Sequence, residues 1–284
     1  MLGEIHFQVG DVQLNAQEWG KPGDFPVLAL HGWLDNSASF SRLAPLIENV
    51  HLLALDLAGH GQSGHRPRFA PYNIWEDVSE VFAVADQMGW GKFALIGHSR
   101  GAIISMLAAG TFPERITHLG LIDGFWPEPV AAAEAPEQLA RSIRELNKLR
   151  SRSFAVHSEL ESAIKVRQKV SFALSYQAAK ALVERGVKRV QGGYSWSADP
   201  QLQVASSVKL TQDHIVAFTR RITALTKLVL AEQGLRRRFE LERESLSAFE
   251  SIEVDTLPGG HHLHMEAESL RIAELLNGLF ARSL

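Results

Sequence analysis

No cysteine occurs among the 284 residues. Disulfides, thiolate zinc sites and cysteine nucleophiles are thereby excluded, and a reducing compartment suits the composition. Charge of one sign is also lacking: 29 Lys and Arg stand against 32 Asp and Glu, a formal net charge of -3. Such a chain has no field suited to gripping a nucleic-acid backbone. No uncharged apolar stretch nears the ~20 residues that a membrane-spanning helix requires. The opening "MLGEIHFQVGDVQLN" alternates apolar and polar side chains and has neither the basic start nor the small-residue cleavage site of a secretory signal. The expectation is a cytoplasmic protein with no membrane span and no nucleic-acid partner. Repeats, low-complexity tracts and long linkers are missing too, so the 45% of hydrophobic residues should fill one core and a substantial insertion.

What is present has a rhythm. Period-2 patterning on both sides of Gly10-Asp11 predicts an opening hairpin. The runs "FPVLALHG", "VHLLALDLAG" and "KFALIGHS" are bounded by glycine or proline and too short for globular helices, which predicts buried parallel strands. Between and after them, "SFSRLAPLIENV" and "IWEDVSEVFAVADQMG" space apolar residues at three and four. "RGAIISMLAAGTFPE" is apolar nearly all round, as a helix between sheet and cover would be. Alternation of this kind predicts an α/β fold: a mostly parallel sheet, helices on both faces, and ligands at the carboxyl ends of the strands. The rhythm breaks after "THLGLIDG" (117–124) and resumes at "TKLVLAEQG" (226–234). Residues 1–124 and 221–284 are therefore expected to form the core, and 125–220 an inserted helical lid without strands. Arg141 to Arg189 carries many more Lys and Arg than Glu, which reads as the solvated face of surface helices.

Within "LIGHSRGAIISM" (95–106), Gly97-His98-Ser99-Arg100-Gly101 matches G-x-S-x-G where a strand gives way to a helix. In that context the serine is a candidate nucleophile on a strained turn, with flanking glycines removing side chains that would strike neighbouring backbone. An ordinary serine helix cap is the plainer alternative. The first N–H groups of the helix are unpaired and its dipole end is positive, so the Arg100 amide is a candidate oxyanion donor. The turn after "LALHG" offers the Trp33 amide as the second, with His31 bracing the loop. The candidate base lies on a loop near the end of the chain, where an alternating run stops at Pro258-Gly259-Gly260 and His261, His262 and His264 follow. His261 is the favoured base, its unperturbed pKa of ~6.5 lying near working pH. His264 is expected to pack or brace. A metal held by the three histidines is not expected, because they lack i, i+4 spacing and an evident carboxylate partner beyond Glu266.

Taken together, His31-Gly32, "DLAGHGQSG", the Ser99 elbow and Gly260-His261 resemble the α/β-hydrolase superfamily along nearly the whole chain. "HGWLDNSASF" with "DLAGHGQSGHRP" is similar to its serine hydrolase-like branch, whose substrates are poorly defined. In many members the seventh strand ends Gly-x-x-Asp and that Asp orients the catalytic histidine; the corresponding residues here are Ala231-Glu232-Gln233-Gly234. Some members carry the acid one strand earlier, which points to Asp123, and the order Ser99, Asp123, His261 suits it. Glu232 is the competing acid. The resemblance implies a loop-holding role for Asp56, with His60 and Ser63 structural.

The resulting expectation is a cofactor-free serine hydrolase, with no metal, acting on a small ester or related acyl compound. Catalysis would use Ser99, His261 and Asp123, with Trp33 and Arg100 as the oxyanion hole. Phe125, Trp126, Tyr194 and Trp196 are candidate aromatic walls. Carbon–carbon bond hydrolysis and a receptor-like binding protein with little turnover stay open, and the sequence is silent on oligomeric state.

Overall fold

The computed structural model describes residues 1–67, 70–149, 154–169, 172–235, 249 and 252–282. Ten strands and seven α-helices are described, and eight of the strands form one sheet. Strands β1 (Gly3–Val9) and β2 (Val12–Gly20) pair antiparallel across the Gly10-Asp11 turn, where Gly10 has φ 55°. β3 (Phe25–Leu30) and β4 (Val50–Asp56) follow, then α1 (Ile74–Gln87), β5 (Phe93–His98), α2 (Arg100–Thr111) and β6 (Ile116–Ile122). After a long excursion come β9 (Leu225–Gln233), β10 (Ile252–Gly260) and α7 (Ser269–Phe280). The sheet order is β1-β2-β4-β3-β5-β6-β9-β10, and every pairing from β4 to β10 is parallel.

The short apolar runs become central strands because both of their faces are covered, so no position needs a polar side chain. β4 and β5 are buried along their whole length. On one face α1, α2 and α6 (Gln212–Thr219) pack with Leu28, Leu95 and Leu121; on the other, α7 and the turn around Phe40 pack with Ala29, Ile96 and Val229. Helix α2 is apolar nearly all round because sheet and α6 enclose it. The segment 39–50 does not form the helix its spacing predicts. It makes two 3-10 turns, Ser37–Phe40 and Ala44–Leu46, with Pro45 early in the second. A proline there has no N–H with which to continue a helix.

Between the adjacent strands β6 and β9 lie α3 (Ala135–Lys148), α4 (Leu160–Arg167), α5 (Tyr176–Gly186), a hairpin of β7 (Val187–Val190) and β8 (Gly193–Trp196), and α6. The expectation of helices without strands is corrected by that hairpin. Gly192 and Gly193, with φ 89° and 140°, supply the left-handed turn, and His157 bridges to Tyr194 as an added edge. The reading of the basic residues as a solvated face holds for most of those described, such as Arg141, Arg144 and Lys165, with Arg185 an exception. Arg185 is buried, with its Nε 2.9 Å from Asp56 Oδ2 and its two terminal nitrogens 2.7 and 2.8 Å from the Glu4 carboxylate. That fork fastens α5 to β1 and to the end of β4.

Candidate active site

Parallel topology brings the carboxyl ends of β3, β5, β6 and β10 to one edge of the sheet, and each end carries a residue of interest. Ser99 follows β5, Asp123 follows β6, and His261 follows β10. Ser99 has φ 51°, ψ -114°, a left-handed backbone that strains any residue with a Cβ. Its side chain makes no capping bond to α2, which disposes of the helix-cap alternative, and it lines a cavity of about 440 Å³. The tightness of the elbow explains Gly101: a Cβ there would stand 2.0 Å from the Leu30 carbonyl oxygen.

His261 is buried and its Nδ1 donates to Asp123 Oδ2 at 2.6 Å. Asp123 is wholly buried, with φ 39°. Its carboxylate also accepts from the Ala231 and Leu235 amides, both at 3.0 Å. Glu232 instead stands exposed on β9. Gly234 leaves room for the Asp123 carboxylate: a Cβ at residue 234 would meet Asp123 Oδ2 at 2.1 Å. The carboxylate coming from β6 fills the room next to that glycine. Burial lowers the His261 pKa and Asp123 opposes the shift. With Nδ1 donating to a carboxylate, the neutral ring has its lone pair on Nε2, the form a general base requires.

The turn after β3 supplies Gly32 and Trp33 to the cavity wall. His31 is a brace: its Nδ1 donates to the Gly32 carbonyl oxygen at 2.7 Å and its Nε2 accepts from the Leu57 amide at 3.0 Å. The Trp33 indole reaches over to the Leu202 carbonyl oxygen at 2.9 Å. The Arg100 side chain turns to Asp77, which leaves only its backbone for the cavity side. Asp56 holds loops, accepting from the Ser37 and Gln62 amides at 2.7 and 2.8 Å, while Ser63 Oγ donates to its carbonyl oxygen at 2.6 Å and His60 Nδ1 to that of Ala58 at 3.0 Å.

The aromatic walls differ from expectation. Trp196 lines the cavity, joined by Trp33, Phe154 and Phe172. Phe172 lies with its ring centroid 4.2 Å from that of His261. Phe125 and Trp126 pack in the core with Phe249 instead, and Tyr194 lies on the hairpin beneath Arg189. Phe154 and Phe172 sit in segments without strong periodicity, so only the tertiary fold brings them here.

A second polar cluster, absent from the sequence reading, lies against His261. His98 is fully buried, and its Nε2 donates to the His261 carbonyl oxygen at 2.9 Å. Asp35 Oδ2 lies 3.2 Å from His262 Nε2 and 3.6 Å from His98 Nδ1, and its Oδ1 accepts from Arg167. A carboxylate partner for these histidines therefore exists, from residue 35 rather than Glu266. Burial lowers the pKa of His98 and of His264, which packs as expected with its ring 4.2 Å from that of His98.

An alpha/beta hydrolase fold family model matches residues 26–183. The chain belongs to that family. Within it, the α/β-hydrolase chain falls in the serine hydrolase-like branch: it is 29% identical to human serine hydrolase-like protein 2 over 98% of this chain and 93% of that one. The crystal structure of a hypothetical protein from Pseudomonas aeruginosa PAO1 is 42% identical, with TM-score 0.95, covering 99% of this chain and all of the other. A thioesterase domain from the curacin biosynthetic pathway is 25% identical, with TM-score 0.83, over 96% and 98% of the two chains. The hydrolase has no helix long and apolar enough to cross a membrane among its described residues.

Proposed function

We propose that this hydrolase cleaves a small ester or related acyl compound through an acyl-enzyme on Ser99, using chemistry that needs no cofactor. The observation that carries the reading is the 2.6 Å bond from His261 to a buried Asp123, with His261 and Ser99 on one cavity wall. Ser99 Oγ attacks the substrate carbonyl carbon and passes its proton to His261 Nε2. Asp123 stabilises the resulting imidazolium and fixes its tautomer. The Trp33 and Arg100 amides receive the oxyanion, which only the transition state and the tetrahedral intermediate present. Collapse breaks the bond to the leaving group, which takes the proton from His261. Water, deprotonated by the same ring, then releases the carboxylic acid and restores the serine.

The rings of Trp33, Phe154, Phe172 and Trp196, with Val166 and Leu182, give the cavity an apolar lining. That suits an uncharged acyl or aryl group of modest size. Of residues 125–220, the part before α6 acts as the lid, since α4, α5 and β8 contribute Arg167, Leu182 and Trp196 to the wall. Helix α6, by contrast, packs on α2 and belongs with the body.

The test is labelling with a fluorophosphonate probe together with hydrolysis of p-nitrophenyl esters of graded chain length. Wild type is expected to label at Ser99 and to turn over the short esters; Ser99→Ala does neither. An unlabelled serine in folded protein, without turnover on any ester, would replace this reading with ligand binding on a hydrolase scaffold.

A further inference from the structure

We infer that Asp35, His98 and His262 form a site for a divalent transition-metal ion, best matched by zinc, and that its occupation inhibits the hydrolase. One ligand atom from each residue lies within 4.8 Å of the others, and all three residues are buried. Zinc holds nitrogen and oxygen ligands at about 2.0–2.2 Å in a tetrahedron, which sets neighbouring ligand atoms about 3.3–3.5 Å apart. The separations from Asp35 Oδ2 are 3.2 Å to His262 Nε2 and 3.6 Å to His98 Nδ1. The third pair of ligand atoms, on His98 and His262, lies within 4.8 Å.

The protonation pattern argues the same way. A carbonyl oxygen can only accept, so His98 Nε2 carries the proton that bonds the His261 carbonyl oxygen. In the neutral ring the Nδ1 lone pair is then bare, and this fully buried atom has no hydrogen-bond partner. A bare lone pair facing a carboxylate oxygen is an unfavourable pairing for two acceptors and a favourable one for two ligands of a shared cation. A ring N–H donated to a backbone carbonyl is also the usual outer contact of a metal-bound histidine. His262 becomes a ligand by carrying its proton on Nδ1 in place of Nε2. Arg167 holds the other oxygen of Asp35, so it orients the carboxylate but repels the ion.

Access and consequence follow from position. Asp35 and His262 lie on the wall of the cavity that holds Ser99 and His261. With three protein ligands, the fourth coordination position opens toward that cavity, and an ion with its water occupies space beside the nucleophile. Inhibition is therefore expected to compete with substrate and raise KM more than it lowers kcat. This inhibition rests on the proposed hydrolase activity; the binding does not.

The experiment uses tag-free full-length protein stripped with a chelator, titrated with zinc chloride by calorimetry and with cobalt(II), whose visible absorption reports tetrahedral coordination. Expected are one equivalent bound in the micromolar range or tighter, and a KM for a p-nitrophenyl ester that rises with the same midpoint. Asp35→Asn and His262→Asn weaken binding by at least about 100-fold. Arg167→Gln removes the repelling guanidinium and tightens it severalfold, a gain that a misfolded variant could not produce. No stoichiometric binding in wild type, or affinity unchanged in all three variants, overturns the site. Binding without any effect on KM overturns the inhibition. Failure of turnover with and without zinc counts against the hydrolase reading, and calorimetry still decides the site.

Discussion

Replacing Asp123 with asparagine isolates the charge of the proposed triad acid, and the structure sets the size of the loss. Three N–H groups converge on the carboxylate: Ala231 and Leu235 at 3.0 Å and His261 Nδ1 at 2.6 Å. An amide has one oxygen, so at least one of these donors is left facing an NH2 group, at a cost of about 1–3 kcal/mol in stability. The catalytic loss comes from the missing negative charge. A unit charge about 4 Å from the imidazolium, at an effective dielectric constant near 20, contributes about 4 kcal/mol. At about 1.4 kcal/mol per decade this lowers kcat by about 1,000-fold, and nearer 10,000-fold if the amide also turns the histidine to the wrong tautomer. Steady-state hydrolysis of a short p-nitrophenyl ester measures it, with a thermal melt to confirm folding. Glu232→Gln, on an exposed side chain, should stay within about twofold of wild type, as surface changes generally do. Activity of Asp123→Asn within tenfold of wild type, or an equal collapse in Glu232→Gln, would refute the assignment.

Three further outcomes follow from packing and charge. Gly234→Ala drives a methyl group to within 2.1 Å of Asp123 Oδ2; a stability loss of about 1–3 kcal/mol and a fall in kcat should appear together, and a silent variant would contradict the geometry. Arg185→Met strips a buried carboxylate, Asp56, of its cation, so denaturant unfolding should show a loss of about 3–5 kcal/mol, partly recovered in the double variant with Asp56→Asn. Glu80 tests linkage. Burial outweighs the neighbouring Arg66 guanidinium and raises its pKa from 4.5 to about 7. Between those values the unfolded chain binds fewer protons than the folded one. The Glu80 contribution is thus whole below pH 4.5 and is lost by about pH 7, a fall of about 3 kcal/mol that Glu80→Gln should abolish. Unfolding free energies from pH 4 to pH 8 for the two proteins would expose a wrong sign.

Strand runs, their order and the elbow were legible in the sequence because each is a local pattern: a continuous apolar run for a strand covered on both faces, glycines two positions either side of the serine. Ser99 and His261 stood out as candidates for that reason, and Asp123 from the resemblance together with its place at a strand end; the structure brings His261 and Asp123 into contact. Features assembled from distant segments were not legible. Phe154 and Phe172 reach the cavity only through the path of the insertion. Asp35 meets His262 across 227 positions, so the histidine run looked as though it lacked a carboxylate. Arg167 and Arg185 resemble their solvated neighbours on amphipathic helices, and only tertiary packing turns them inward. The hairpin of β7 and β8 was missed because four-residue strands leave almost no periodicity to read.

The crowding around Gly234 limits which substitutions this chain can accept. An acid restored at residue 234 collides with the one already arriving from β6, and deletion of Asp123 alone leaves the ring with neither. On the proposed triad the two positions are therefore coupled in this chain, and a side chain at residue 234 is accommodated only together with a change at Asp123.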